Sequence, residues 1–336
     1  MPGGQSGALP KNPISGSYYY YSRLSDAQKE AYRSILSGIQ NHAERIEVPL
    51  MPFDELSKLY HDVRLDNPLT FYTAQSYSQS TNKQKCYLLP EYSYSPEEAR
   101  QYTEEIIKYL RVFDPAKDKK DIDKELYVHD FCLSEFSYDN SFGNKSYSVL
   151  GPVHNKTAVC EGIAKFVKLA CDYLRIRCLV VTGKALDPVS NADVGRHAWN
   201  IIMIDRQTYH LDVTFDMTIK NKALRYDYFN LPDDEIKKDH VITGNVPPCN
   251  VSGNDYYTAK SLYVNSMGEL GNYIRGALKN GKKHIFVKIK NEPYRATVVN
   301  QIGEIVKQQC FAIGMSSYAL NMSINPYQMV FEMSIK

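Results

Sequence analysis

Residues 158–216 constrain the fold more than any other stretch. In AVCEGIAKFVKLACDYL, Val159, Ile163, Phe166, Val167, Ala170, Cys171 and Leu174 recur at helical spacing. Three strand-like runs follow, at 178–182, 197–204 and 209–215. In the last run the alternation is strict. Tyr209, Leu211, Val213 and Phe215 make one apolar face, and His210, Asp212, Thr214 and Asp216 make a polar one. A helix that must cover a half-polar sheet predicts an α+β layer.

Cys160 stands where that helix begins, ahead of most of its apolar stripe. A helix N-terminus presents unpaired N–H groups and favours negative charge, which suits both a nucleophilic thiol and a binding place for an oxyanion. Gly162 lets other backbone approach closely. Taken alone, a cysteine in such a place is read as a small apolar residue. A base changes that reading, and His197 supplies one. If Asp205-Arg206 is a two-residue hairpin loop, Ile204 pairs with Gln207 and His197 falls opposite Thr214. Asp212 is then its diagonal neighbour on the same face. A four-residue loop keeps this parity and a three-residue loop destroys it. An acidic partner there fixes the imidazole tautomer and stabilises imidazolium.

Composition narrows the function classes. Forty basic residues against thirty-eight acidic ones give a net charge of +2, which offers no electrostatic case for nucleic acid or an anionic membrane. No apolar run approaches the roughly 20 residues of a membrane helix, so a soluble chain is expected. The opening residues, MPGGQSGALPKNPISGS, show no basic-then-apolar leader, which predicts a cytoplasmic protein, or a secreted one from which a leader has been removed. The seven cysteines are scattered and include no CxxC pair, so neither a disulfide scaffold nor a zinc site is expected. No metal or cofactor is implied. Tyrosine is frequent, at 27, against a single tryptophan, Trp199; the tyrosines suit half-buried packing or, if exposed, peptide or sugar contacts.

The segment 126–216 resembles the transglutaminase-like superfamily, a branch of the papain-like cysteine enzymes, in its bacterial form. The matching pieces are HDFCLSEFSYD (129–139), AVCEGIAKFVKLACDYLRIRCLVVTG (158–183), HAWN (197–200) and YHLDVTFD (209–216). The resemblance implies a papain/transglutaminase-like core of helix packed on antiparallel sheet. It also implies Cys160 as nucleophile, His197 as general base and acid, and Asp212 as orienter. Trp199 matches the family's aromatic after the histidine and would wall the site. Animal transglutaminases carry Gln before the cysteine and Trp after it, where this chain has Val159 and Glu161; that weakens protein cross-linking and leaves the second oxyanion donor open. The backbone N–H of Cys160 and the side chain of Tyr147 are candidates. No Asp/Asn/Gly calcium loop occurs.

The flanks are read more coarsely. A disordered tail is expected over 1–16, a helical and strand region over 17–115, the catalytic core over 116–250 and an α/β module over 251–336. Helices are predicted from Ser25, over 54–65, from Pro96, over 125–136 and over 296–309. Short strands are predicted at 46–48, 71–73, 86–89, 284–289 and 327–335. The order of the last third echoes residues 46–89, as a duplicated module would. His154 is a candidate lining residue of the cleft, His210 and Asp216 are placed on its rim, His129 packs or caps, and Cys132, Cys171 and Cys178 belong to the core. The reaction expected is acyl transfer on an amide through a thioester, hydrolytic as a peptidase or amidase, with a protein or peptide as substrate. Transglutamination is the alternative, and a non-catalytic peptide- or carbohydrate-binding module on the same fold is the rival. Oligomeric state is left open.

Overall fold

The computed structural model describes residues 9, 11–14, 16–82, 85–187, 192–220 and 223–336. The chain forms two compact units, one of Met1–Val181 with Ala198–Arg206 and the other of Thr182–His197 with Gln207–Lys336. The division cuts through the 116–250 stretch expected as one core. The class is α+β, as the sequence predicts. Among the described residues no helix is long and apolar enough to cross a membrane.

In the first unit, Ser25 caps the helix Asp26–Gln40 through a capping box with Gln28, and the helix buries Tyr32, Ile35, Leu36 and Ile39. Three antiparallel strands lie in the order Ile46–Pro49, Lys85–Tyr92, Thr73–Thr81. The expected strand at 71–73 begins only at Thr73, because Pro68 opens a 3-10 turn, Pro68–Thr70, behind the helix Phe53–Asp66. Ser95 and Glu98 cap the helix Pro96–Tyr109, whose proline sits in the first turn. Helices Asp121–Glu135 and Cys160–Tyr173 complete the unit's helical layer. The cysteine helix packs on strand: Asn200 Nδ2 donates to the carbonyls of Ala164 (2.9 Å) and Leu179 (3.3 Å).

The expected tail is shorter than drawn. Residues 1–8, 10 and 15 lie outside the described residues, but Ile14 is buried. Ser17 is anchored to the cysteine helix, donating from N and Oγ to Asp172 Oδ1 (3.1 and 3.2 Å) while its carbonyl accepts from Lys168 Nζ at 2.9 Å. Lys168 and Asp172 form a buried ion pair at 2.8 Å. A deletion of residues 1–13 should therefore leave the denaturation midpoint unchanged. Extending it through Ser17 strips partners from a buried pair and should cost about 2–5 kcal/mol, read from chemical denaturation.

In the second unit, His240–Thr243 runs antiparallel to the strand Cys178–Leu186, with His240 opposite Ala185 and Thr243 opposite Thr182. Gln207–Leu211 pairs with Phe229–Leu231, and His210 lies opposite Leu231. The run expected to continue as strand to residue 215 does not. It ends at Leu211, and Val213–Ile219 is helix. Asp212 ends the strand by capping that helix, its carboxylate accepting from Phe215 N at 3.0 Å. The turn before the strand is as short as predicted. Asp205 and Arg206, with φ of 49° and 66°, are the two residues between Ile204 and Gln207, both left-handed as a tight primed hairpin turn requires.

The C-terminal module has its own core, in which Leu270, Ile274 and Leu278 of the helix Met267–Lys279 meet Val287, Ile302, Val306 and Phe331. That helix is absent from the sequence-based prediction. After it come the strand His284–Ile289, the helix Val298–Ala312 and the strands Leu320–Asn325 and Val330–Ile335, with the last strand between the other two. The N-terminal region repeats this plan. The helix Asp26–Gln40 is followed by strand, helix, strand, strand, again with the last strand central; its pairings are all antiparallel, whereas the C-terminal sheet adds a parallel edge strand, Tyr263–Val264. The echo in the sequence is thus an echo of topology, helix included.

Candidate active site

Cys160 is the first residue of its helix and follows Val159, whose extended backbone (φ −83°, ψ 173°) brings the chain into the first turn. Of the seven cysteines, all unpaired, it alone is not buried. It packs at the margin of a small cluster of Leu65, Ala164, Val180 and Ala198. On the folded protein, iodoacetamide should modify one cysteine, mapping to Cys160 by peptide mass, and the other six should react only after unfolding.

The turn Asn144–Tyr147 is pressed onto the start of this helix. Val159 N donates to the Ser146 carbonyl at 3.1 Å, and Lys165 Nζ reaches the Tyr147 carbonyl at 3.4 Å. A Cβ on Gly162 would lie 2.1 Å from that Ser146 oxygen and 2.9 Å from Ala158 Cβ, so the close approach read from the sequence is real. Gly162→Ala must displace backbone and should cost about 3 kcal/mol or more by denaturant midpoint. Gly276→Ala, with nothing within 4 Å of its Cβ position in another helix, should be neutral or stabilising by up to about 1 kcal/mol.

Charge is concentrated behind the cysteine. Glu161 pairs with Lys165 one turn on and accepts from Gln75 Nε2 at 3.1 Å. Burial raises the Glu161 carboxyl, but Lys165, aided by Arg64, outweighs burial and holds it below its ordinary value. Burial pushes His61 down to about 4, so that ring is neutral. The residue standing where animal transglutaminases have tryptophan is thus a compensated carboxylate.

In the second unit, His197 Nε2 and Asp212 Oδ2 lie 2.6 Å apart, and both residues are buried. The pairing predicted from register is present, but through a helix cap rather than a diagonal contact between two strands. Asp212 N donates to the Tyr228 carbonyl at 3.0 Å, so the carboxylate is held at its backbone, at Oδ1 and at Oδ2. Burial alone would raise its carboxyl. His197 and then His240 outweigh burial and hold it well below the usual carboxylate range. Phe215 lies against His197, with ring centres 4.6 Å apart.

The remaining candidates sort as follows. Tyr147 is half-buried in the turn on the cysteine helix. His154 engages Glu105 at 3.1 Å and meets Tyr102 edge to face, so its ring is committed to the helix Pro96–Tyr109. Trp199 is 1% exposed and has no surface to offer a substrate. Ala198 packs with Ala164 of the cysteine helix, and Asn200 donates to the Ala164 carbonyl. His210 and Asp216 are not rim residues, because both are fully buried. His210 bonds Asp233 at 2.9 Å and burial pushes it down to about 4; Asp216 accepts from Tyr228 N at 3.1 Å. The polar face read from alternation is an interior hydrogen-bonding face. His129 is buried beside Asp130, and Cys132, Cys171 and Cys178 are core residues, as expected.

Sequence reasoning missed His240. Its Nε2 lies 3.1 Å from Asp212 Oδ2, and its Nδ1 lies 2.6 Å from Asp239 Oδ1. It stands 28 residues beyond Asp212, outside every motif. The dipeptide Asp239-His240 at the head of a strand is the one local signal.

Among the described residues, two groups of side chains have metal-ligand types. His197, Asp212 and His240 converge, but a 2.6 Å ring-to-carboxylate distance is a shared proton; ligands on a tetrahedral zinc with bonds of 2.0–2.1 Å stand about 3.3 Å apart. His210, Asp233 and Cys249 also converge, but Asp233 already holds Lys237 at 2.8 Å, and burial pushes the Cys249 thiol up to about 12, into the neutral form that binds metals poorly. Neither group fits a metal well.

Residues 111–213 match the family model described as the transglutaminase-like superfamily. No curated protein matches the chain. Among solved structures, one described as a TGase aligns at 18% identity and a TM-score of 0.29, covering 54% of this chain and 53% of that one. A Cytophaga hutchinsonii protein provisionally described as a cysteine protease aligns at 13% and 0.28, covering 41% of this chain and 61% of that one. A Parabacteroides distasonis protein provisionally described as a protease aligns at 9% and 0.26, covering 40% and 35%. This chain thus spans only part of each neighbour, and TM-scores of this size leave the assignment to the sequence match. The family likeness therefore rests on residues 111–213, the stretch that holds Cys160, His197 and Asp212, which is similar to the transglutaminase-like superfamily.

Proposed function

We propose that the chain is a cysteine-dependent acyl-transfer enzyme that hydrolyses amide bonds in a protein or peptide, through a thioester on Cys160. The observation that carries this reading is the buried 2.6 Å bond between His197 and Asp212. A fully desolvated imidazole–carboxylate pair has little to recommend it as a stabilising element, since an apolar pair of the same volume would pack as well. It is the arrangement a general base needs. Cys160 is joined to that pair by the order of the motif, Cys–His–Asp.

In the proposed reaction, His197 takes the Cys160 thiol proton, Sγ attacks the amide carbonyl carbon, and the carbonyl oxygen takes up negative charge. The N–H groups at the start of the helix Cys160–Tyr173 stabilise it. His197 protonates the leaving amine as the tetrahedral intermediate collapses to the thioester. It then takes a proton from water, which attacks the thioester and releases the acid. Asp212 engages Nε2, so the proton moves on and off Nδ1. An amine in place of water would give transamidation by the same steps.

A peptide-library assay run with and without a primary amine tests this. New carboxyl termini that form without amine and vanish in Cys160→Ala are expected. Products only when amine is present would make the chain a transamidase. No covalent turnover in either arm would contradict the proposal and favour a binding module.

A further inference from the structure

The buried network behind Asp212 is larger than the proposed chemistry requires. Asp212 Oδ2 is shared between His197 Nε2, at 2.6 Å, and His240 Nε2, at 3.1 Å. His240 is bound on its other ring nitrogen by Asp239 Oδ1 at 2.6 Å, and Tyr228 OH donates to Asp239 Oδ2 at 2.5 Å. Asp212 and Tyr228 are completely buried, and Asp239 and His240 are only 3% and 2% exposed. The rings of Phe215, His197 and His240 pack as a triangle, with centres 4.6 Å (Phe215–His197), 4.7 Å (Phe215–His240) and 5.4 Å (His197–His240) apart.

We propose that His240 is a positioning residue for the reaction: as a cation clamped between Asp212 and Asp239, it fixes the Asp212 carboxylate and limits the negative charge that His197 feels. This rests on the function proposed above. A lone buried carboxylate 2.6 Å from a base would make that base bind its proton tightly, and a base that never releases its proton cannot act in the second half of the reaction. A second cation on the same oxygen offsets that. The ring has two carboxylates, one on each nitrogen, and both its nitrogens must be protonated to donate to both. Burial alone would lower His240, but the bonds from Asp212 and Asp239 outweigh it and raise its pKa. The other titratable groups around it are His197 and Tyr228, with His210 of the strand Gln207–Leu211 beyond them.

The sign of the effect follows. Removing the cation leaves Asp212 to act on His197 undiminished, so His197 must hold its proton to higher pH. The 336-residue chain, labelled with [ε1-13C]histidine, gives a resonance for each of its eight histidines, and His197 is identified by its loss in His197→Gln. In His240→Gln, which keeps a donor to Asp212, and in His240→Phe, which does not, the His197 midpoint should rise by about one pH unit. A purely structural role predicts that glutamine restores the wild-type midpoint, and that result, or no rise in either variant, overturns the proposal. If both variants unfold, Asp239→Asn decides: the His240 midpoint should fall by about one unit, and an unchanged midpoint contradicts the clamp. Failure of the proposed function would appear separately, as turnover retained in Cys160→Ala, and would leave these titrations untouched.

Discussion

Cys160→Ala is expected to abolish turnover and leave the fold in place. In a covalent mechanism, loss of the nucleophile removes the reaction path itself, and in a well-studied serine protease the comparable loss is on the order of 10⁶-fold. The structural cost should be small. Cys160 is half-buried at the first position of its helix and packs at the edge of the Leu65, Ala164, Val180 and Ala198 cluster. A cavity there can collapse or fill with water, so the unfolding free energy should change by less than about 1 kcal/mol. Cys171→Ala should do the reverse. That thiol is completely buried eleven residues further along the helix, and its loss should cost about 1–3 kcal/mol while sparing the chemistry. Activity and denaturation measured on both variants separate the roles. An active Cys160→Ala protein would end the proposed mechanism.

Asp212→Asn should have the second largest effect, and the structure enlarges what register alone suggests. Asparagine can keep the bond from Phe215 N through its amide oxygen, so the helix cap should survive. Its amide nitrogen would then face the ring nitrogens of His197 and His240, donors against donors. Asparagine leaves the imidazolium without its anionic partner and favours the wrong tautomer. In the serine-protease template that costs about ten-thousandfold in turnover. A cysteine nucleophile depends less on the carboxylate, so the loss here should be on the order of tenfold to a thousandfold. Asp216→Asn should cost little activity, because an amide oxygen can still accept from Tyr228 N.

The same variant should change the acid stability. The Asp212 carboxyl is held well below the value of about 3.9 it has in an unfolded chain. Its contribution to stability is therefore in place above about pH 4 and is lost as the pH falls through the lower, folded-state value. Denaturation across pH 2–6 should show the wild type losing stability on the acid side more steeply than Asp212→Asn. Equal slopes would mean that the carboxylate is not held by its two histidines.

What could be read from the sequence was what local rules decide. Ser25 and Gln28, and Ser95 and Glu98, are three residues apart, and both helices begin where those capping boxes place them. The turn at Asp205-Arg206 was set by the lengths of the runs on either side. The misreadings come where two periodicities compete. Residues 209–216 alternate perfectly, yet Asp212 is also a helix-capping residue, and its bond to Phe215 N wins over strand continuation. The Cys–His–Asp order survived that error because Asp212 reaches His197 from the cap as well as it would have from the strand. Burial was the harder quantity. His210 and Asp216 look like surface polar groups in a strand, but each is satisfied by a residue remote in sequence, Asp233 and Tyr228. His240 was invisible for the same reason. Asp239 is its sequence neighbour, but Asp212, the partner that ties it to His197, is 28 residues away, a contact no local pattern announces.

The central claim, that Cys160 is a nucleophile worked by His197, can be tested without knowing the substrate. Brief exposure to p-nitrophenyl acetate at neutral pH, followed by acid quenching and peptide mass mapping, would show whether an acyl-enzyme forms. The result expected is one acetyl group on Cys160, removed by hydroxylamine as a thioester is, absent in Cys160→Ala and formed at least about tenfold more slowly in His197→Gln. Acetylation confined to lysines, or an adduct on Cys160 that forms equally fast without His197, would contradict it.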